Sequence, residues 1–191
     1  ASAQQAITYL ERAIGEVATG ADIQLQYAVG RLYLRVGEAA KAVDAFKRVV
    51  DQNLASAQGR LSLAQAYAAT DELENAITTL EVIVDDKPQV ASMLAQYQER
   101  AGLLKEAAQS YTRALAIEPM SRALKFRRIA AIFNDGKYAQ AAAFAAEAQA
   151  QHPDDPRFLR LRARAVFESG DPARALVILE PAAKAYPKDA A

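Results

Sequence analysis

The regular spacing of three residue types is the feature that most limits what this chain can fold into. Each type recurs in steps of about 34 residues: Pro119, Pro153 and Pro187; Ala107, Ala141 and Ala175; Gly102, Gly136 and Gly170. Ala42 and Ala76 keep the same step, but the steps from Ala76 to Ala107 and from Pro88 to Pro119 are both shorter by three residues. The alanine and proline markers are both displaced by the same three residues at this point. The pattern therefore indicates tandem repeats of about 34 residues, one of them three residues shorter.

The residues between these markers predict an all-α chain. Only 8 Gly and 7 Pro occur, and the strong helix formers Ala, Leu, Glu, Gln, Arg and Lys dominate. Runs of β-branched residues with a period of two are missing from the sequence. We therefore expect helices at 3–18, 22–36, 39–52, 56–70, 73–85, 89–101, 104–117, 121–134, 137–151, 156–168 and 172–185.

Each repeat is expected to contain two antiparallel helices joined by a short turn. A glycine that tolerates positive φ would end the first helix of a pair, at Gly37, Gly102, Gly136 and Gly170. Large aromatic side chains would fill the space between neighbouring repeats, namely those of Tyr33, Phe46, Tyr67 and Tyr111. No repeat can bury its apolar faces alone, so stability should come from the repeats and their interfaces together.

This pattern resembles the tetratricopeptide repeat, whose units read Leu-Gly-x-x-Tyr, then Ala-x-x-x-Phe, then Pro. The first complete unit has Val29-Gly30, Tyr33, Ala42 and Phe46 at those places. The resemblance implies an all-α solenoid of antiparallel helix pairs, wound as a right-handed superhelix, with first helices lining a concave groove. It implies a single array over 1–191, with a partial repeat at 1–20 and repeats at 23–55, 57–88, 89–119, 122–153 and 156–187. We expect the array to be part of a longer protein of bacterial type.

Charge and composition argue against several classes of function. The 23 basic and 23 acidic residues balance, which disfavours a nucleic-acid or membrane-surface binder. No apolar stretch approaches the roughly 18–20 residues that span a bilayer, and no cysteine is present to form a disulfide or bind a metal. These features are compatible with a location in the cytoplasm or in a bacterial periplasm.

The sequence also contains no recognisable catalytic set. The sequence has no phosphate loop, dinucleotide fingerprint or metalloprotease motif. Its one histidine, His152, is expected to be a solvated loop residue. The acidic pairs Asp85-Asp86 and Asp154-Asp155 are expected to cap the helices that follow them. We therefore predict that the chain is not an enzyme and uses no cofactor or metal.

Arginines in the last third of the chain are the strongest functional signal. Arg157, Arg160 and Arg164 are three and four residues apart, so they share one helix face. Residues 121–170 hold 9 basic and 5 acidic residues, and clustered guanidiniums suit carboxylates because they offer paired donors. We predict a protein or peptide partner, with acidic character where it meets these arginines. With the groove that the resemblance implies, the predicted contact residues are Tyr27, Arg31, Arg35, Gln65, Gln96, Arg100, Phe126, Phe133, Arg157, Arg160 and Arg164.

Two points about this surface stay open. Tyr27, Phe126 and Phe133 either face the groove or are partly buried between adjacent first helices. Arg128 and Arg162 lie where the family usually has leucine, so either these two repeats pack irregularly or the register there is wrong by one residue.

The sequence bears on two other kinds of partner. Some family members hold the C-terminal carboxylate of a chaperone in a lysine–asparagine clamp. That ligand is not expected here, because the matching positions hold Tyr27, Arg31, Leu61, Gln65, Phe126 and Ala130. The alternative to partner binding is self-association through the second helices, of which the stretch from Ala139 to Ala150 is the richest in alanine.

Overall fold

A computed structural model shows helices joined by short turns, and no strand among the residues it describes. These are residues 5–9, 12, 23–52, 56–84 and 88–185, with the backbone alone at Pro88 and at 181–185. Residues 5–9 are helical. The helices that follow are α1 (Ile23–Val36), α2 (Ala39–Gln52), α3 (Ala57–Ala69), α4 (Leu73–Glu81), α5 (Pro88–Arg100), α6 (Leu104–Ile117), α7 (Arg122–Asn134), α8 (Tyr138–Gln151), α9 (Pro156–Glu168) and α10 (Pro172–Ala185). The all-α prediction is confirmed.

The helices form two compact units, Ala1–Asp86 and Lys87–Ala191, which we call unit 1 and unit 2. In unit 1, α1 to α4 pack against one another in succession as antiparallel neighbours. Their core includes Tyr33 of α1, Phe46 of α2 and Leu63 of α3, together with Ile7 of the first helical segment. Tyr67 is partly buried and packs against this cluster.

In unit 2, α5 to α10 pack in the same succession, and the first helices α7 and α9 also touch each other. The core around α7 to α9 contains Ile129, Phe133, Ala145 and Phe158. Tyr111 of α6 is completely buried, and its hydroxyl donates to a Glu99 carboxylate oxygen of α5 at 2.9 Å. Side chains of neighbouring helices therefore meet as the repeat pattern predicts.

The turns within pairs confirm the glycine spacing. Gly37, Gly102, Gly136 and Gly170 all have positive φ, between 76° and 95°. The equivalent position of the second repeat is Asp71, with a φ of 63°. Asp tolerates this left-handed conformation better than most residues with a side chain, so the turn is kept without glycine.

One helix is shorter than predicted. α4 ends at Glu81, whereas the sequence predicts a helix to residue 85. The next three residues, Val82, Ile83 and Val84, are β-branched and form a turn in which the Ile83 N–H donates to the Leu80 carbonyl. β-branched side chains lose rotamer freedom in a helix, and this favours the early end. Most of the helix predicted at 3–18, the Asp85-Asp86 pair and Pro187 lie outside the described residues.

Candidate functional site

Arg157 begins the arginine row of α9, and its guanidinium is bonded within the chain. Asp155 is the N-cap of α9, because its Oδ1 accepts from the Arg157 backbone N–H at 3.1 Å. The same carboxylate accepts from Arg157 Nε at 2.9 Å and from Nη2 at 2.6 Å. This charge-assisted fork lowers the pKa of Asp155 to about 2. The capping role predicted for Asp155 is confirmed, and Arg157 supports the start of the helix.

Arg160 and Arg164 are one turn apart on the same helix and are both exposed. Over the part of the chain that the structure describes, neither has a carboxylate within ion-pair distance. The guanidinium carbon of Arg164 lies 4.7 Å from the centre of the Phe133 ring, a cation–π contact that leaves its N–H donors available. These two side chains are therefore the members of the row that can bind an external anion.

The basic residues of α7 are largely paired. Arg122 Nη1 lies 2.9 Å from Asp154 Oδ2, and Arg127 Nη1 lies 4.0 Å from a Glu99 oxygen. Lys125 donates to the Gln151 side chain. Sequence spacing predicts a crowded basic face on both first helices, but on α7 two of the four basic side chains form ion pairs with acids of neighbouring segments, and Lys125 is hydrogen-bonded to an amide.

The aromatic residues predicted to line the groove are partly or fully buried between helices. Phe133 is buried, 5.1 Å from the ring of Tyr138. Phe126 is half-buried against Phe158, at 6.4 Å between ring centres, and also lies beneath the Arg157 guanidinium. Phe126 contacts the next repeat through Phe158, and Phe133 contacts it through the Arg164 guanidinium.

Tyr27 has the same kind of environment in unit 1. Its ring packs 5.6 Å from Phe46, and its hydroxyl accepts from Gln58 Nε2 at 2.9 Å and from Ser62 Oγ at 3.1 Å. Because Gln58 and Ser62 belong to α3, Tyr27 joins two adjacent first helices. The sequence left two alternatives for Tyr27, a position facing the groove or partial burial between adjacent first helices. The structure shows partial burial.

The remaining predicted contact residues are exposed polar side chains on first helices. Arg31 and Arg35 lie on α1 and Gln65 on α3, all in unit 1, whereas Gln96 and Arg100 lie on α5 of unit 2. The Gln96 amide donates to the Ser92 carbonyl one turn earlier at 3.2 Å. The predicted contact residues are therefore divided between the two units.

His152 is buried, so its expected solvated position is wrong. The residue ends α8 as its C-cap, and only 5% of its surface is exposed. Its ring stacks on Phe158 at 5.8 Å between centres, with an angle of 25° between planes, and its Nε2 lies 3.4 Å from Lys125 Nζ. Burial, followed by the charge of Lys125, lowers the pKa of His152. The histidine is a packing residue between two repeats, and its burial favours the neutral form.

An apolar groove lies between α9 and α10 and was not predicted from the sequence; we call it the end groove. It measures about 470 Å³, within the roughly 300–1,000 Å³ of clefts that hold ligands. Three large apolar side chains on its surface are exposed: Phe167 by 57%, Leu176 by 70% and Leu179 by 37%. Arg160 and Arg164 also line it. The sequence contained a signal of this groove, because Phe167 and Leu176 are large apolar residues at the positions that Phe133 and Ala142 occupy one repeat earlier.

Two other kinds of site are absent from the described residues. In that part of the chain, no three His, Asp or Glu side chains lie close enough to hold a metal ion together. None of the described helices combines the length and the apolar character that crossing a membrane requires.

Comparison with known proteins agrees with the repeat pattern and the helix pairs. Two sequence models of the tetratricopeptide repeat match, one over residues 27–91 and the other over residues 100–165. The chain belongs to the tetratricopeptide-repeat family. No curated protein sequence matches the chain significantly.

Solved tetratricopeptide-repeat structures share its fold at low sequence identity. A crystal structure of MamA has a TM-score of 0.73 at 16% identity, covering 88% of this chain and 93% of the other. YrrB, described as a tetratricopeptide-repeat protein with an unusual peptide-binding site, has a TM-score of 0.71 at 16% identity, with 94% and 93% covered. A tetratricopeptide-repeat protein from Parabacteroides merdae ATCC 43184 has a TM-score of 0.70 at 16% identity, with 94% and 72% covered.

The two arginines at leucine positions of the family pattern, Arg128 and Arg162, both contact side chains of α8. The guanidinium carbon of Arg128 lies 4.4 Å from the centre of the Phe144 ring, and burial lowers its pKa. Arg162 Nη1 donates to the Gln149 side chain at 3.2 Å. Both partners lie on α8, whose many alanines leave room for long side chains. The glycine turns keep their register, so irregular packing at these two positions is the explanation.

Proposed function

We propose that the chain is a protein-interaction scaffold that binds an acidic segment, or a carboxylate terminus, of a partner protein at Arg160 and Arg164. The observation that carries the proposal is the pair of exposed guanidiniums, one turn apart, that have no acidic partner among the described residues. Guanidiniums stay ionised and offer paired donors to a carboxylate. Like charges gain no stability from being clustered, so binding is the better explanation of the cluster.

Two further facts support a scaffold. Tetratricopeptide repeats form the described fold, and one structure of similar fold is that of a protein described as having a peptide-binding site. The exposed polar residues Arg31, Arg35, Gln65, Gln96 and Arg100 are further candidate contacts. We place Arg157 in a supporting role, since Asp155 already accepts from its guanidinium.

The test is the double variant Arg160→Ala with Arg164→Ala, assayed against the partner captured with the unaltered chain as bait. Calorimetry should show binding weaker by about 2 kcal/mol or more, the size of a hot-spot pair. The melting temperature should change little, because exposed charges contribute little to stability. Binding to the unaltered chain should also weaken with salt, since exposed charges are screened over about 8–10 Å at physiological ionic strength.

The matched control is Lys105→Ala with Arg113→Ala on α6. Both side chains are exposed. This variant also removes two positive charges, but it removes them from a second helix of the same unit. It should bind like the unaltered chain. Equal affinity of the two double variants would contradict the proposed site, and a large loss of stability in the first would show that its arginines are structural.

Self-association through the second helices is the second candidate function. It is favoured by α10, a second helix on which Leu176 and Val177 are 70% and 66% exposed. This function would make the molecular mass depend on protein concentration, whereas a scaffold for another protein would not.

A further inference from the structure

A small cleft in the middle of unit 2 lies apart from all the predicted contact residues, and we call it the α7 cleft. It is formed by α6, α7 and α8 and measures about 160 Å³. That volume suits a group of a few heavy atoms, whereas clefts for drug-sized ligands measure roughly 300–1,000 Å³. Leu115, Pro119 and Ile129 contribute apolar surface to its wall, and side chains of α7 and α8 contribute the charges.

Arg128 is a half-buried cation in this wall whose hydrogen bonding is incomplete. Its Nε atom is buried and has no hydrogen-bond partner among the described residues. The guanidinium carbon lies 4.4 Å from the centre of the Phe144 ring, a contact that leaves the N–H donors available. Burial lowers the pKa of Arg128, and the charge of Glu147 opposes this only in part. A buried donor without a partner is rare, because it has lost its bonds to water and gained none in return.

Lys125 adds a second positive charge to the wall of the α7 cleft. Its ammonium donates to the Gln151 side chain and lies 3.4 Å from His152 Nε2, so at least one of its three N–H donors stays available. Glu147 is the one acidic residue among the described residues that line the cleft, whose net charge is therefore +1. A single negative charge neutralises this wall, whereas a dianion would leave an excess of negative charge beside Glu147.

We propose that the α7 cleft binds a monocarboxylate that carries a short apolar chain. Its carboxylate accepts from Arg128 and Lys125, since guanidinium and ammonium donors form the strongest hydrogen bonds with ionised acceptors. Its apolar chain packs against Leu115 and Ile129. A free short-chain carboxylate and a glutamate side chain of a protein segment both present this chemistry. The site is separate from Arg160 and Arg164, so this inference does not rest on the proposed function.

Butyrate is the probe, and butyramide, a neutral molecule of nearly the same shape, is the matched control ligand. NMR spectra of the isotope-labelled full chain follow the side-chain Nε–H signal of Arg128, which Arg128→Leu identifies by its loss. Butyrate should shift this signal to saturation, because the Nε–H gains an acceptor. Butyramide should bind at least about tenfold more weakly, and the dianion sulfate should also bind more weakly than butyrate.

Three variants locate the carboxylate through the backbone signals of α7 and α8. Arg128→Leu places the family's leucine there, so the chain should stay folded, and butyrate binding should weaken by about tenfold or more. Arg162→Leu is its matched control, because Arg162 is also half-buried at a leucine position but does not line the cleft. It should bind butyrate as the unaltered chain does. Glu147→Gln removes the negative charge of the wall and should tighten binding by about three- to tenfold.

A tripeptide with blocked ends and a central glutamate distinguishes the two sources of the carboxylate. Tighter binding of this peptide than of butyrate would assign the cleft to a protein segment, and the reverse would assign it to a free carboxylate. An Arg128 signal that neither ligand shifts, or that butyrate and butyramide shift at equal concentrations, would overturn the inference. Unchanged butyrate affinity in Arg128→Leu, or tighter binding of sulfate than of butyrate, would do the same. The double variant Arg160→Ala with Arg164→Ala should bind butyrate normally, which keeps this test separate from that of the proposed function.

Discussion

Gly30 and Phe46 show at the scale of single residues why the repeat needs a small residue in its first helix. A Cβ added to Gly30 would lie 2.7 Å from Phe46 Cε1, closer than real Cβ contacts. The ring cannot withdraw easily, because Phe46 is completely buried. The small residue and the large ring are therefore one packing arrangement between α1 and α2.

A double-mutant cycle tests that arrangement. Gly30→Ala should lower the free energy of unfolding by about 1–3 kcal/mol through overpacking, and Phe46→Ala by about 3–5 kcal/mol through the loss of a buried ring. With the ring absent, Gly30→Ala should cost much less, because its methyl group enters the vacated space. Urea denaturation measures all four chains. The same cost for Gly30→Ala with and without the ring would refute the contact, and a cost under about 1 kcal/mol for Phe46→Ala would contradict its core position.

His152 leads to a prediction about pH. Its folded-state pKa is lowered by burial and then by the charges of Lys125 and Arg122, against the opposing effect of Asp154 and Asp155. The unfolded chain therefore binds a proton more readily, near the ordinary pKa of about 6.5. Stability is fully present above that value and falls as the pH drops through it towards the lower folded-state pKa.

Urea midpoints at about pH 7.5 and about pH 5.5 give the measurement for this histidine. The unaltered chain should be less stable at the lower pH. His152→Gln provides the control, because it cannot titrate in this range, and its two midpoints should lie closer together. An undiminished difference in the variant would assign the pH effect to other groups.

At the scale of elements, the sequence predicts those helix boundaries that depend on residues close by along the chain. The predicted helix at 22–36 is observed at Ile23–Val36, and the one at 121–134 at Arg122–Asn134, since glycine turns and polar caps are local signals. The end of α4 differs from the prediction, because Val82 to Val84, which the sequence predicts as helix, form a turn. Helix propensity is a weak local preference, and here the low propensity of the β-branched residues acts together with the turn that buries Ile83 and Val84 to end the helix early.

The candidate site was less predictable for a related reason. Helical spacing predicts one row of arginines on α9, but it could not show that Asp155, which precedes the helix, bonds to Arg157 and leaves Arg160 and Arg164 available. Burial of Phe133 and His152 depends on residues of the next repeat, such as Arg164 and Phe158. Contacts of this kind require the packing of two repeats and cannot be read from one helix.

At the scale of the whole molecule, charge is divided unevenly between the two units. Residues 1–86 contain 7 basic and 12 acidic residues, a net charge of −5, and residues 87–191 contain 16 basic and 11 acidic residues, a net charge of +5. The balanced total conceals this difference. An acidic partner should therefore be attracted to unit 2, where Arg160 and Arg164 lie, and a field of this kind acts mainly on the rate of association.

The same charges bear on whether the chain associates with itself. A symmetric dimer formed through the end groove would bring Arg160 and Arg164 of both copies together, because a two-fold interface pairs each surface with itself. The apolar side chains exposed there are also few, and charged Arg174 and Glu180 interrupt them on α10, whereas stable interfaces bury about 1,200–2,000 Å². We therefore expect the monomer mass of 20.6 kDa by light scattering at both low and high protein concentration. A mass that rises with concentration and falls again in Val177→Gln or Leu176→Gln would instead establish the second helices as a self-association surface.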